Sequence, residues 1–556
     1  MASHRLSIEW ATLKRYATNE SQNLVFRLPS CHSWLLLLTV LTTGCATRLP
    51  ASYYPRTATY ALQDTAQTRL GQAYTQAAKH HPGESGFHIL PTGPEALMVR
   101  IALIEASQKS IDMQYFSTRE DTTGKLLLEA VTRAADRGVR VRMLLDDWEL
   151  EDFEAGAVSL NAHPNIEIRV FNPYSTQDES FFAHIGNVFF DINQFMRRMH
   201  NKVLIADNQI SIMGGRNLGD EYFDASADVD FRDVDVFASG PITRQISATF
   251  DTYWNSDEAF PLSTLNVPPA DANKVEQLHA NMKQHWDMMM QSPIGKRLDR
   301  LPLPHGVKKG DVPLIWARAD LAADVPDKIN HPSETNASIP GTRIEKMVGK
   351  AQHEFIIFTP YFVPLDAGVA WLNGLVARGV AVRIITNSLS STDMVPAQAG
   401  YGHYREALVK GGVDLYEIKS SQPKSSAKSM FKPSSQNGMH AKIYMVDRRD
   451  LAIGSFNLDP RSMRLNTEQV LIIHSPELCA KIVPLFDDVT SPTSSYRITL
   501  APAAPDSDPS TSNEGSLVWV TEENGQMVSY DFNPHAGFWR NLTNSLFSVL
   551  PIDDEL

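Results

Sequence analysis

Cysteine is nearly absent from this chain. Cys31, Cys45 and Cys479 are the only three in 556 residues, and they show neither paired nor ligand-like spacing. That excludes a disulfide framework and a cysteine-built zinc site. Excess positive charge is lacking too: the formal net charge is −13. Bulk attraction to nucleic acid or to anionic lipid is therefore not expected, and any anionic substrate must meet locally gathered positive charge. A pair of membrane-spanning helices is also missing. The apolar run at residues 34–41 is too short to cross a bilayer but fits the apolar region of a signal peptide.

That run is followed by Thr42-Thr43-Gly44-Cys45. Small residues ahead of a cysteine resemble a bacterial lipoprotein cleavage site, which makes Cys45 the expected lipidated first residue of the mature chain. The alternatives are a plain secretory signal or an uncleaved interfacial anchor. On the first reading the protein sits in the cell envelope and faces the periplasm. The inner membrane is the expected location and the outer membrane the alternative.

What is present is a repeat. Residues 93–110 carry helical apolar spacing, 111–116 read as a strand, 124–137 as a helix stopped by Gly138, 139–145 as a strand and 166–171 as another. The order returns later: helix 343–353, strand 355–363, helix 372–378 stopped by Gly379, strand 380–386, helix 401–410, strand 413–418. Strands alternating with helices predict α/β layers around a parallel or mixed sheet, here in two pseudo-symmetric copies.

The expected division is a signal segment (1–45), an N-terminal segment (46–85), a first unit (86–255), a connector with a helical insertion (256–336), a second unit (337–495), and a linker with a C-terminal tail (496–556). Within that tail, 517–521 and 527–531 are expected to form a hairpin around Asn524-Gly525.

Each copy ends in one pattern. The first is His200-Asn201-Lys202, Asp207, then Gly214-Gly215-Arg216-Asn217. The second is His440-Ala441-Lys442, Asp447, then Gly454-Ser455-Phe456-Asn457, with identical spacing. Strand-like residues follow each lysine, and a turn at Asp207-Asn208 or Asp447-Arg448 predicts a hairpin. His and Lys two apart on a strand share a face.

The residue types suit a phosphodiester. Its transition state needs positive groups and amide donors around the equatorial oxygens, which Lys202, Lys442, Asn217 and Asn457 can supply. One histidine can attack phosphorus while the other protonates the leaving alcohol and then deprotonates the incoming one. A carboxylate on the far nitrogen would fix each tautomer. Asp233 and Glu468, downstream of the two motifs, are the candidates.

A single HxKxxxxD is weak evidence, but two copies in a repeat are specific. The pattern over residues 93–486 resembles the phospholipase D superfamily. The stretches 197–202, 215–222 and 456–462, with Trp539-Arg540 and Leu550-Pro551-Ile552, resemble in particular the C-type branch of bacterial cardiolipin synthases. The resemblance implies two α/β/α units packed together with the active site at their interface. It implies a metal-free and cofactor-free covalent mechanism, with His200 as nucleophile and His440 as acid/base.

It places Lys202, Lys442, Asp207 and Asp447 in the catalytic motifs, the two aspartates bonding within their own motif. It implies phosphatidyl transfer among phospholipids at a membrane surface. Phosphatidylglycerol is the usual acceptor, and phosphatidylethanolamine is a second candidate substrate. A hydrolytic phospholipase D and a nuclease of the same superfamily stay open as alternatives, and the sequence leaves the oligomeric state open.

Other features carry blander readings. The apolar stripe over 181–199 is a lipid-facing helix or, slightly favoured, simple packing. Tyr115 and Tyr361 are expected at matching strand ends, lining the pocket or, equally, packing in the core. Asp146-Asp147 is expected to touch a headgroup or cap a helix, and Arg405 to lie on a solvated face.

Overall fold

The computed structural model describes residues 51–174, 196–265, 267, 270–331, 338–420, 436–501 and 515–550. The signal segment with Cys45, residues 181–195 of the apolar stripe and most of the linker at 501–513 lie outside the described residues.

The strands are β1 Ser85–Leu90, β2 Ser110–Tyr115, β3 Arg140–Asp146, β4 Ile166–Phe171, β5 Val203–Ala206, β6 Ile210–Gly214, β7 Val229–Arg232, β8 Asp235–Ser239 and β9 Ala259–Pro261. Then come β10 Ile315–Ala323, β11 Glu354–Phe358, β12 Ala381–Asn387, β13 Asp414–Ile418, β14 Gln436–Met439, β15 Ile443–Val446, β16 Asp450–Gly454, β17 Gln469–His474, β18 Ser495–Leu500, β19 Leu517–Glu523 and β20 Gln526–Tyr530.

The first sheet runs β1-β8-β6-β5-β2-β3-β4-β9 in space. The second runs β10-β17-β16-β15-β11-β12-β13-β18, with β19 and β20 added at its edge. The two orders correspond position by position, so the chain is a duplicated α/β unit. In each half three strands are parallel and need helical crossovers. Thr122–Asp136 and Leu365–Ala377 are the first of these, each followed by a left-handed glycine, Gly138 at φ 89° and Gly379 at φ 88°.

β10 joins the sheets. Ile315–Ala317 pair with β1, and Arg318–Ala323 pair with β17. This strand lies in the stretch read from sequence as connector, and it occupies the place in the second half that β1 holds in the first. A helical layer covers each sheet outside. Between the sheets lies an apolar layer built by both halves, with Phe250 and Trp254 from one side and Leu478, Cys479 and Phe486 from the other.

Four local expectations change. The helix expected over 401–410 is two, Val395–Gly402 and Arg405–Lys410. The restart turns Arg405 inward, where its Nε donates to Glu417 at 2.7 Å, so it is not a solvated face. Thr118 bridges Leu218 and Phe362 bridges Leu458, so Tyr361 matches Ser117 and not Tyr115. Tyr115 is core, accepting from Arg100 at 3.3 Å. Asp146 neither meets solvent nor caps a helix: it accepts from the amides of Trp148 and Met199 and pairs with Arg198.

Candidate active site

Each motif begins where a chain segment crosses from one half to the other. Met199 forms a parallel bridge with Thr467, so the His200 amide donates to the Thr467 carbonyl at 3.0 Å and the Thr467 amide to Arg198 at 3.0 Å. In the matching place β14 lies parallel to β7, and the His440 amide donates to the Arg232 carbonyl at 2.9 Å. In both crossings the next residue on the facing segment is an acid. The register therefore sets His200 beside Glu468 and His440 beside Asp233.

The carboxylates are thus exchanged between halves. His200 Nδ1 lies 3.0 Å from both Glu468 oxygens, and His440 Nδ1 lies 2.7 Å from Asp233 Oδ2. With the acids ionised, each Nδ1 carries the proton and each Nε2 is left to act. Glu468 also accepts from Ser455 Oγ and from Ser462 Oγ, the latter at 2.9 Å. Asp233 instead faces Gly215, the residue matching Ser455. A Cβ there would come within 2.3 Å of Asp233 Oδ1, so only glycine leaves room for the shorter acid.

The hairpins behind the motifs explain the rest of the signature. β5–β6 and β15–β16 turn through Asp207-Asn208 and Asp447-Arg448, all four at φ between 50° and 53°. Two consecutive left-handed residues give the twist that two-residue hairpin turns require. Asp207 and Asp447, expected to bond within their own motifs, bond instead to amides at the start of a different strand. Asp207 accepts from the amides of Gln108, Lys109 and Ser110, and Asp447 from those of Gln352, His353 and Glu354. They lock each hairpin to the central strand of its sheet.

His and Lys precede the strands rather than lying within them. Lys202 Nζ donates to the His200 carbonyl and Lys442 Nζ to the His440 carbonyl, both at 2.6 Å. Asn217 donates to the Tyr222 hydroxyl at 3.0 Å, and the side-chain oxygens of Asn217 and Asn457 are buried without a partner among the described residues. Phe116 meets the His200 ring edge-on at 5.2 Å, and Tyr222 meets His440 likewise at 5.2 Å.

The electrostatics join the two motifs. Burial pushes Lys202 well below its ordinary value and the Lys442 charge pushes it further; burial brings Lys442 down to about 8. Burial, then Lys202, Lys442 and Arg461, hold His200 well below the usual imidazole value. Burial and Lys442 lower His440 to about 4 against the pull of Asp233, with Lys202 adding its share. Both lysines therefore act on both histidines. Buried positive charges that repel one another form a place for an anion.

The acids differ. Burial raises Glu468 to about 7, against the bonds from Ser455 and Ser462. Burial also raises Asp233, but the hydrogen bond and charge of His440 outweigh it and hold Asp233 below the carboxylate range.

Sequence reading brought together His200, Lys202, His440, Lys442, Asn217, Asn457, Asp233 and Glu468. It gave no role to Phe116, Tyr222, Ser462 or Arg461. The last three stood inside the quoted motif stretches, and only their position five or fewer residues past each asparagine could have singled them out.

The family described as "Cardiolipin synthase, PLD-like domain" matches residues 101–254 and 344–490. Cardiolipin synthase C of Escherichia coli is 32% identical over 488 residues, 87% of this chain and 99% of that protein. Cardiolipin synthase A of Pseudomonas entomophila is 28% identical over 387 residues, 69% of this chain and 64% of that protein. Among solved structures, a phosphatidylserine synthase of Haemophilus influenzae superposes with a TM-score of 0.51 at 15% identity, covering 76% of this chain and 92% of that one. At that identity the likeness concerns the fold.

Proposed function

Because this chain belongs to the phospholipase D-like family of cardiolipin synthases, we propose that it makes cardiolipin by passing a phosphatidyl group to phosphatidylglycerol through a covalent bond to His200. It is a phospholipase D-type phosphatidyltransferase. The observation that carries the finer reading is the exchange of carboxylates. Each imidazole is held by an acid of the opposite half, and both lysines act on both rings.

In the first step the His200 Nε2 lone pair attacks phosphorus. The bond from phosphorus to the headgroup oxygen breaks, and His440 gives its Nε2 proton to that oxygen. In the second step the hydroxyl of phosphatidylglycerol loses its proton to His440 and attacks phosphorus, and the P–N bond breaks. With phosphatidylglycerol as donor the products are cardiolipin and glycerol; phosphatidylethanolamine as donor would release ethanolamine.

The bound phosphodiester supplies negative charge between Lys202 and Lys442 and raises the neighbouring imidazoles toward protonation. Asp233, held fully ionised, makes His440 the ring fitted to carry that proton. Glu468, raised by burial, is the weaker anion and leaves His200 neutral, as a nucleophile must be. Asn217 and Asn457 serve the equatorial oxygens. Reading residues 1–45 as a secretory signal places the reaction on the periplasmic face of an envelope membrane.

The test is purified full-length protein in phosphatidylglycerol vesicles, with products followed by mass spectrometry. Cardiolipin with stoichiometric glycerol supports the proposal, and His200→Ala and His440→Ala should each abolish it. Phosphatidic acid as sole product would mean that water resolves the intermediate. Cleavage of plasmid DNA with lipids untouched would make the protein a nuclease.

A further inference from the structure

The C-terminal helix Phe538–Phe547 has no buried residue. Trp539, Leu542 and Leu546 follow one another at three- and four-residue spacing, so they share a face, and Val549 comes just past the helix end. They are exposed to 74%, 40%, 60% and 77%, with Phe538 at 73% beside them. A stripe of large apolar side chains left in water marks a surface that something covers.

Two observations say what covers it. First, the helix is fastened to the wall of the candidate active site. Arg540 Nη1 donates to the carbonyls of Leu389 and Thr392 at 3.1 and 2.7 Å. That loop follows Asn387, whose side chain accepts from the Met439 amide at 2.8 Å and donates to the Met439 carbonyl at 3.0 Å. Met439 precedes His440. The next loop residue, Asp393, accepts from the Tyr361 hydroxyl at 2.9 Å. Second, the chain carries a net charge of −13, yet residues 532–550 contain no acid, with Arg540 and His535 as their basic side chains. Acids flank this stretch at Asp531 and at Asp553, Asp554 and Glu555, but the face itself carries none, and a tryptophan-bearing apolar face of that kind suits the headgroup zone of a phospholipid bilayer.

We propose that this helix docks the enzyme on a phospholipid surface, lying in the interface with Trp539 and Leu546 inserted, so that the loop at 389–393 and the histidine site meet lipid substrate. This rests on the phosphatidyltransferase reading. The helix lies parallel to the surface and does not cross it: among the described residues no helix is long and apolar enough to span a membrane.

The test uses the full chain with vesicles of phosphatidylglycerol brominated on its acyl chains, which quench inserted tryptophan. Wild type should show a blue-shifted, quenched component that Trp539→Phe lacks; identical quenching in both overturns the proposal. The double variant Trp539→Asp/Leu546→Asp should lose about tenfold or more of its turnover on vesicles. Its turnover on monomeric short-chain phosphatidylglycerol should stay within about twofold of wild type, because none of the reacting groups is touched.

Equal loss on both substrates overturns the docking role. So does conversion of a dimer to a monomer in the double variant with quenching unchanged, which would make the face a contact between copies. Wild type inactive on the short-chain lipid would count against the proposed reaction, while the quenching result would still judge the docking.

Discussion

Replacing Asp233 with Asn should damage the proton transfers made by His440 and spare the attack made by His200, and the exchanged carboxylates determine which ring is affected. The Asp233–His440 contact is 2.7 Å and both groups are buried. Breaking a buried pair costs about 3–5 kcal/mol. Asn keeps the volume and loses the charge that steadies an imidazolium, so we take about 3 kcal/mol at the transition state, or about 10²-fold in kcat at 1.36 kcal/mol per tenfold.

With His440 as acid in the first step and base in the second, the loss in the first step falls on leaving-group protonation. A phosphatidyl ester of p-nitrophenol leaves without a proton. With it, Asp233→Asn should regain a first-step burst within about threefold of wild type. Glu468→Gln, which weakens the His200 nucleophile, should stay slow on both substrates. Stopped-flow release of p-nitrophenolate reads both. Pairing within halves would have Asp233 serve His200, so rescue of Glu468→Gln with none for Asp233→Asn would refute the assignment.

Four further outcomes follow from buried groups in and beside the site. Glu468, raised to about 7, must be ionised to hold Nδ1–H of His200, so kcat/KM should fall as pH drops through about 7. Ser455→Ala removes a bond that favours the ionised form, and should move this limb to higher pH in a pH–rate profile. Gly215→Ala drives a methyl group against Asp233 and should lower kcat by about tenfold or more while KM changes little, measured by steady-state kinetics. Asp459 is buried and raised to about 7, above its unfolded value, so it favours folding when protonated and loses that contribution as pH rises through about 7. Asp459→Asn should therefore melt increasingly above wild type as pH goes from 5 to 8, by differential scanning fluorimetry; a constant offset would contradict the shift.

Local signals made much of this legible in sequence. Residue spacing carried the duplicated motif, Gly138 and Gly379 announced the ends of the crossover helices, and Asn524-Gly525 announced the β19–β20 hairpin. Long-range register was not legible. His200 and Glu468 are 268 residues apart, and His440 and Asp233 207 apart. Each pair is set by a short parallel crossing that has no composition signal of its own. β10 was hidden for a related reason: its half-buried residues lie between two sheets in a proline-bearing stretch, and it reads as a strand only once β1 and β17 stand on either side. The compensation between Gly215 with Asp233 and Ser455 with Glu468 breaks the repeat at two positions, and only the packing makes those breaks one feature.

The most direct measurement is the number of phosphatidyl groups held covalently per chain and the residue that holds them. Enzyme quenched in alkali during turnover, where phosphohistidine survives, can be read by intact-mass and peptide mass spectrometry. One group per chain, on His200, absent in His200→Ala and accumulating in His440→Ala with the p-nitrophenyl ester, is the predicted result. Two groups per chain, or turnover surviving in either single histidine variant, would mean separate sites and would contradict the account.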